Sequence, residues 1–413
     1  MKKKLVLSIA LTLIVSLISV SLLGGTAAAS SGGMPETDSL FTERDLQQSP
    51  DLSEAAYMTL ADGEDVVISE EGVYVLSGTA ADVTVKVDAP DEAKVQLVLD
   101  GVFITNASAP CIYVTAADKV FVTTVSDSSL SVSGSIVSDG ESKLDGVIFS
   151  RSDLVLNGSA ELKISSTANG VVCKDDLKIT GGSYDVTAES HALEANDSIR
   201  IAGGSFSLSA GKDGLHAEND DDDSLGYIYI SDGSFSVSAA DDGIHAKSLI
   251  QIDGGSFSLT ASEGIEATRV LINGGTVSIQ AGDDGINAAQ KSAAYRAAVE
   301  IAGGEITIAM GAGDTDGVDS NGDLIISGGV ISVSGNSSFD CDGTLQFTGG
   351  TVYVNGQQVS TIPNQMMGGG MGGPGGMGGP GGMGGPGGGM GGPGGSGGNG
   401  GGMGGPGGRG GRI

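Results

Sequence analysis

The sequence predicts an all-β, right-handed parallel β-helix with three strands per rung and about twelve rungs. Three observations carry that expectation. A unit of roughly twenty-one residues recurs, legible from Ser248 as SLIQID-GG-SFSLTA-SE-GIEA and then TRVLIN-GG-TVSIQA-GDD-GINA. Within each unit three short segments alternate apolar and polar residues, the period of a strand with one face buried. Gly-Gly and Asp-Gly pairs punctuate the segments at constant phase, where corners needing positive φ are expected. A propeller blade would need four strands and about forty residues. Like residues at like phase instead suit a solenoid in which each strand pairs with its counterpart one turn on. The right hand follows from the general preference of parallel crossovers.

Taken in order, the chain opens with Lys2, Lys3 and Lys4, an apolar run from Leu5 to Leu23, and the small residues Thr26-Ala27-Ala28-Ala29. That is the pattern of a signal peptide over 1–29, with an uncleaved anchor as the alternative. Either way the bulk of the chain is expected outside the cytoplasm, secreted or at the cell surface, with no membrane contact after cleavage. Residues 30–64 are polar and read as a linker or as an N-terminal cap over the open end of the helix. The β-helix is expected over 65–356, with less regular early rungs such as VVISEEGVYVLSG and KVQLVLDGVFITN. The tail, 357–413, turns from Met366 into repeated Met-Gly-Gly-Pro-Gly-Gly, which buries too little surface to offset ordering entropy and reads as disordered.

Composition narrows the partners. With 51 acidic against 20 basic residues and a formal charge of −31, the chain has nothing with which to neutralise a nucleic-acid backbone. Such an excess of carboxylate serves either as a solvated surface or as a store of ligands for divalent cations. The absence of Trp and an aromatic content of 4% fit an interior of aliphatic and Ala columns. Cys111, Cys173 and Cys341 are odd in number and far apart, so no disulfide framework is expected. Cys173 stands where other rungs carry Ala195, Ala217, Ala246 and Ala267, and reads as a small buried filler. A monomer is expected.

The most distinctive motif is the third strand of the later rungs, acidic-Gly-aliphatic-x-Ala/Ser, as in Asp213-Gly-Leu-His-Ala217 and Asp242-Gly-Ile-His-Ala246. Because its aliphatic and Ala positions face inward, the residue between them faces out. That gives an external column of His216, His245, Glu266, Asn287 and Asp319, with Glu194 one rung earlier. Asp213, Asp242, Glu263, Asp284 and Asp316 form a second column at the preceding corner. Like charges one rung apart repel, so each column needs compensation. Corner carboxylates accepting backbone N–H groups would supply it, and so would Ca²⁺ held between rungs. The loop Asn219-Asp220-Asp221-Asp222-Asp223 lengthens one rung beside that corner, and its four Asp favour the Ca²⁺ reading. A second insertion, from Ala288 to Ala298, reads as a short helix or Ala-rich loop overhanging the outer column. With Lys247 and Arg296 at its flanks, the outer column is the candidate ligand surface, a groove suited to a long polymer.

The run DGIHA, EGIEA, DGINAA and DGVDSNGDLIISGG, closing with FDCDGTLQFTGGTV, resembles extracellular β-helix carbohydrate-binding domain proteins, related in shape to pectate lyases. The similarity covers roughly Asp65 to Gly356. It implies binding of a polysaccharide such as cellulose or polygalacturonate, with bound calcium. Two other readings stand beside it. A structural surface rod or adhesin needs only the repeat. A calcium-dependent lyase needs a base near the metal, for which Lys212, Lys247, Lys291 and Arg296 are candidates without a recognisable catalytic motif.

Overall fold

The computed structural model describes residues 40–138, 140, 143–311 and 315–364; the expected signal peptide over 1–29 and the chain from 365 onward lie outside them. Among the described residues every regular element is a strand. The strands coil as expected into a parallel β-helix, each pairing with its counterpart one rung on. One sheet holds 11 strands, from Val66–Ile68 to Val318–Ser320. The other two join into a 24-stranded set because the long strands Gly72–Ala81 and Lys94–Asn106 run through both. The alternation seen in the sequence sets the register: Ile228, Ile250, Val270 and Val299 stack as one interior column. Phe206, Phe235 and Phe257 stack in another, with ring centroids 4.5 and 4.6 Å apart and nearly parallel planes. The three cysteines are free and buried, and Cys173 pairs in register with Ala195.

One pairing is antiparallel. Thr351–Val354 turns back onto Gln357–Val359 through Asn355 and Gly356, at φ 50° and 75°. Two successive positive φ values mark a type I′ hairpin, which lays a short return strand along the last turn. The described fold thus runs slightly past 356.

The two kinds of glycine corner do different work, and the expectation for Asp-Gly is corrected. The second glycine of each Gly-Gly pair has positive φ, as at Gly255 (98°), which no side chain adopts easily. Gly101 and Gly233, each after an Asp, share that conformation, but the acidic-Gly glycines of the third-strand motif, Gly214, Gly243, Gly264, Gly285 and Gly317, do not. They are small because consecutive rungs approach too closely there: a Cβ on Gly264 would lie 2.3 Å from the Gly285 carbonyl oxygen and 2.5 Å from Ile279 Cγ2. Gly264→Ala is therefore expected to destabilise the fold by about 1–3 kcal/mol, as overpacking does. Urea unfolding checks this, and a midpoint equal to that of the parent would contradict it.

The polar stretch before the helix is more than a linker. Ala56–Thr59 already pairs with Gly72–Ala81 as the first parallel strand. Residues 40–48 are not placed over an open end; they lie as a strap across the outside of the sheet containing Lys119–Ser126, Asp153–Gly158 and Asp176–Ile179. Asp45 anchors the strap. It is fully buried and meets Lys119 Nζ at 3.3 Å and Lys178 Nζ at 3.6 Å. Gln48 accepts the Gly158 N–H and donates to the Thr180 carbonyl, while the Arg44 guanidinium lies over the Phe121 ring.

Candidate functional site

The site lies on the outside of the 11-stranded sheet. Its outer column is in the register expected from the motif: Glu194 pairs with His216, then His245, Glu266, Asn287 and Asp319. In the earlier rungs the same column is Tyr113, Phe149 and Val172, which Ile136 and Leu144 cover. The column is thus roofed and apolar in the early rungs and polar in the later ones. The outward residues of the later rungs are not freely exposed, as a surface column would be: His245, Glu266 and Asn287 are all buried.

The corner column shows how like charges stack. Two of the corner carboxylates accept the backbone N–H of the next corner: Asp213 Oδ1 that of Asp242 at 2.9 Å, and Asp284 Oδ1 that of Asp316 at 2.9 Å. Sequence reasoning missed one member. In the rung Ser190-His191-Ala192-Leu193-Glu194, His191 occupies the corner position, because Leu193 pairs with Leu215 and Glu194 with His216. The signal was available in that alignment, but His-Ala replaces acidic-Gly and hides the motif. Asn169, one rung earlier, continues the column by accepting the His191 N–H at 3.0 Å.

Corner and outer columns meet side by side. Asp213 Oδ2 lies 2.7 Å from His216 Nδ1 and 3.1 Å from His191 Nδ1. Asp242 Oδ2 lies 2.6 Å from His245 Nδ1, which is also 3.1 Å from Glu266 Oε2. Glu266 is paired in addition with Lys291, and Asn287 Nδ2 donates to Glu263 at 3.0 Å. Three groups converge closely enough to share a cation: His191–Asp213–His216, Asp213–Asp242–His245 and Asp242–Glu263–Glu266.

Burial and neighbouring charge separate these groups. For Asp213, burial favours the neutral form, but hydrogen bonds from His191, His216 and the Asp242 N–H overcome it and hold the carboxyl well below the usual range. Burial would lower His245, yet Asp242 and Glu266 raise it to about 9. His216 moves up in the same way against burial, through Asp213 and Glu218. Glu266 is held low by His245 and Lys291 despite burial, whereas burial followed by Asp213 and Glu266 raises Asp242. Glu263 has no cation of its own: burial, then Glu266, pushes it to about 7. Asp319 is lifted to about 6 by burial and then by Asp284 and other carboxylates around it.

A cavity of about 730 Å³ lies over these columns, lined also by Lys212, Lys247, Glu218 and, from the second insertion, Lys291. The two insertions touch each other, since Ser292 Oγ donates to the Asp223 carbonyl. The second insertion is a loop, not a helix; Thr268 Oγ1 accepts the N–H groups of Lys291 and Ser292 and satisfies the backbone that a helix would have paired.

Several expected ligands stand apart. Asp220, Asp221, Asp222 and Asp223 do not converge with one another. Asn219 Oδ1 instead accepts the N–H groups of Asp221 and Asp222 as a turn, and Asp222 bonds Ser224. Asp220 and Asp223 flank Lys247 at 3.5 and 3.8 Å and offset its charge. Arg296 points away to Asp323 at 3.9 Å and is largely exposed. Glu194 pairs with Lys174 and Asn169. Asp284 and Asp316 continue the corner column beyond the three groups, and Asp319 continues the outer one. A second depression, about 650 Å³, lies on a different face, lined by Ser and Thr with the edges of the stacked Phe rings.

A parallel β-helix bearing a walled, polar groove of histidines, carboxylates and lysines is the class that fold and site define. A family profile described as carbohydrate-binding domain-containing protein matches residues 62–315 and 268–359. The chain belongs to that carbohydrate-binding domain family. A carbohydrate-binding domain-containing protein of Acetivibrio thermocellus is 34% identical over 134 residues, which take in 30% of this chain and 45% of the relative. The match therefore spans less than half of that relative's length. Among solved structures, the polysaccharide lyase-like protein from C. thermocellum, in a gadolinium derivative, is similar at a TM-score of 0.41. It is 25% identical, over 73% of this chain and 94% of that one.

Proposed function

We propose that this is a secreted or cell-surface protein that binds an acidic polysaccharide of the polygalacturonate type in the groove, with Ca²⁺ helping to hold it. The observation that carries the reading is the groove's lining, in which Lys212, Lys247 and Lys291 alternate with buried carboxylates and histidines. Ammonium groups at the walls match uronate carboxylates, and each such charge-assisted hydrogen bond contributes about 1.5–3 kcal/mol. A neutral glycan such as cellulose is read by stacking on aromatic platforms, and the groove lining has none.

Calcium fits one place best. Asp242, Glu263 and Glu266 offer only oxygen, the donor Ca²⁺ prefers, and Glu263 lacks a compensating cation. Asn287 Oδ1 is buried beside them without a hydrogen-bond partner while its amide nitrogen bonds Glu263. These four residues would hold the ion, which supplies positive charge for a uronate.

Passage over immobilised polygalacturonate and over cellulose, with Ca²⁺ and then with chelator, tests this reading. Expected are retention on polygalacturonate, release by chelator, and no rise in absorbance at about 235 nm, the mark of an unsaturated product from a lyase's elimination. Passage through the column with Ca²⁺ present would refute the binding reading. Retention and melting temperature both indifferent to chelation would refute calcium alone.

A further inference from the structure

All three histidines of the 413-residue chain sit on successive rungs of one face. Their rings nearly touch in sequence, with centroids 4.2 Å apart for His191 and His216 and 4.9 Å for His216 and His245. Stacked imidazoles on a buried wall gain little from packing and, when protonated, repel. Something else must match the charge.

The first pair is distinctive because one carboxylate oxygen serves both rings. Asp213 Oδ1 is committed to the Asp242 N–H, leaving Oδ2 to face His216 Nδ1 at 2.7 Å and His191 Nδ1 at 3.1 Å. His191 Nδ1 also accepts the Asp213 N–H, at 3.4 Å. With both Nδ1 atoms deprotonated, two ring nitrogens and one carboxylate oxygen converge on one point, where a cation would replace the protons that otherwise bridge them. The two nitrogen–oxygen edges, 2.7 and 3.1 Å, with all three ligand atoms within 4.8 Å of one another, suit a Zn²⁺ ion held at about 2.1 Å from each ligand.

We propose that His191, Asp213 and His216 form a binding site for a transition-metal ion of the Zn²⁺ class, separate from the all-oxygen cluster proposed for Ca²⁺. Imidazole nitrogen selects Zn²⁺, Co²⁺, Ni²⁺ or Cu²⁺ over Ca²⁺, which prefers six or more oxygens. The site opens into the groove, leaving a coordination position for water or a glycan oxygen. Glu218 stands at its mouth, 3.4 Å from His216 Nε2, where it orients the ring from the second nitrogen.

The test uses the purified full chain, stripped with chelator and free of glycan, titrated with Zn²⁺ in millimolar Ca²⁺ by calorimetry. One tight equivalent is expected that Ca²⁺ does not displace, and Co²⁺ in its place should show visible ligand-field bands. His191→Gln and His216→Gln should each weaken Zn²⁺ at least tenfold, whereas Glu263→Gln should leave it unchanged. If those variants fold poorly, protection by Zn²⁺ of His191 and His216 in the parent against diethylpyrocarbonate, read by peptide mass, serves instead. Absence of Zn²⁺ binding under these conditions, binding indifferent to both His variants, or no protection of the two rings would each overturn the site. Retention on polygalacturonate is measured separately, so the two proposals fail independently.

Discussion

Asp45→Ala is expected to lower the unfolding free energy by about 3–5 kcal/mol, the largest single effect anticipated for the fold. Asp45 is fully buried and holds two ammonium groups, on Lys119 and Lys178, whose side chains are about one-tenth exposed at most. It also accepts the Thr42 N–H at 2.9 Å, closing the turn that directs the strap. Truncation leaves the two buried lysines with only Asp153, 3.6 Å from Lys119, as counter-charge, which costs more than losing a surface pair.

The pH dependence follows from the same contacts. Burial opposes the charged carboxylate, but the Thr42 N–H and the two lysines hold it below the ordinary value of 3.8. A depressed acid stabilises the fold fully above its unfolded pKa and loses that contribution as pH falls through the folded one. The parent should therefore lose this increment only in strong acid, and Asp45→Ala should lack it at every higher pH. Urea unfolding at neutral pH is the check, and a loss under about 1 kcal/mol would mean that the strap is not held by charge.

Lys212→Ala combined with Lys291→Ala is expected to weaken polygalacturonate binding at least tenfold, the second large effect. Both ammonium groups line the groove, and Lys291 is the one that meets Glu266 on the outer column. Arg296→Ala is the informative control. Arg296 belongs to the same insertion and carries the same charge, but it faces Asp323 outside the groove and should change affinity less than twofold. Equal losses from the two would show that net charge, not groove geometry, governs binding, and affinity electrophoresis distinguishes the cases.

Much of this was legible in the sequence because the repeat imposes register. Once Leu215, Ile244 and Ile265 are aligned, the outward neighbours His216, His245 and Glu266 must stack, and they do. What was not legible depends on contacts that no periodicity encodes. Asp45 reaches Lys119 across 74 positions of chain, and nothing near it announces a buried charge. His191 escaped because its rung breaks the acidic-Gly pattern. The Asp-rich loop shows the opposite case: four adjacent carboxylates look like a metal site, yet Asp222 bonds Ser224 while Asp220 and Asp223 flank Lys247. Local density of ligands is a poorer guide than stacking across rungs, where geometry is fixed by the backbone.

The central claim is that the groove over His216, His245 and Glu266 receives the glycan. A crystal structure of the protein soaked with a galacturonate oligomer tests it most directly. The account predicts sugar density in the cavity over His216, His245 and Glu266, with uronate carboxylates against Lys212 and Lys291. Sugar bound instead along the Ser and Thr face over Phe206, Phe235 and Phe257, with the groove empty, would contradict it.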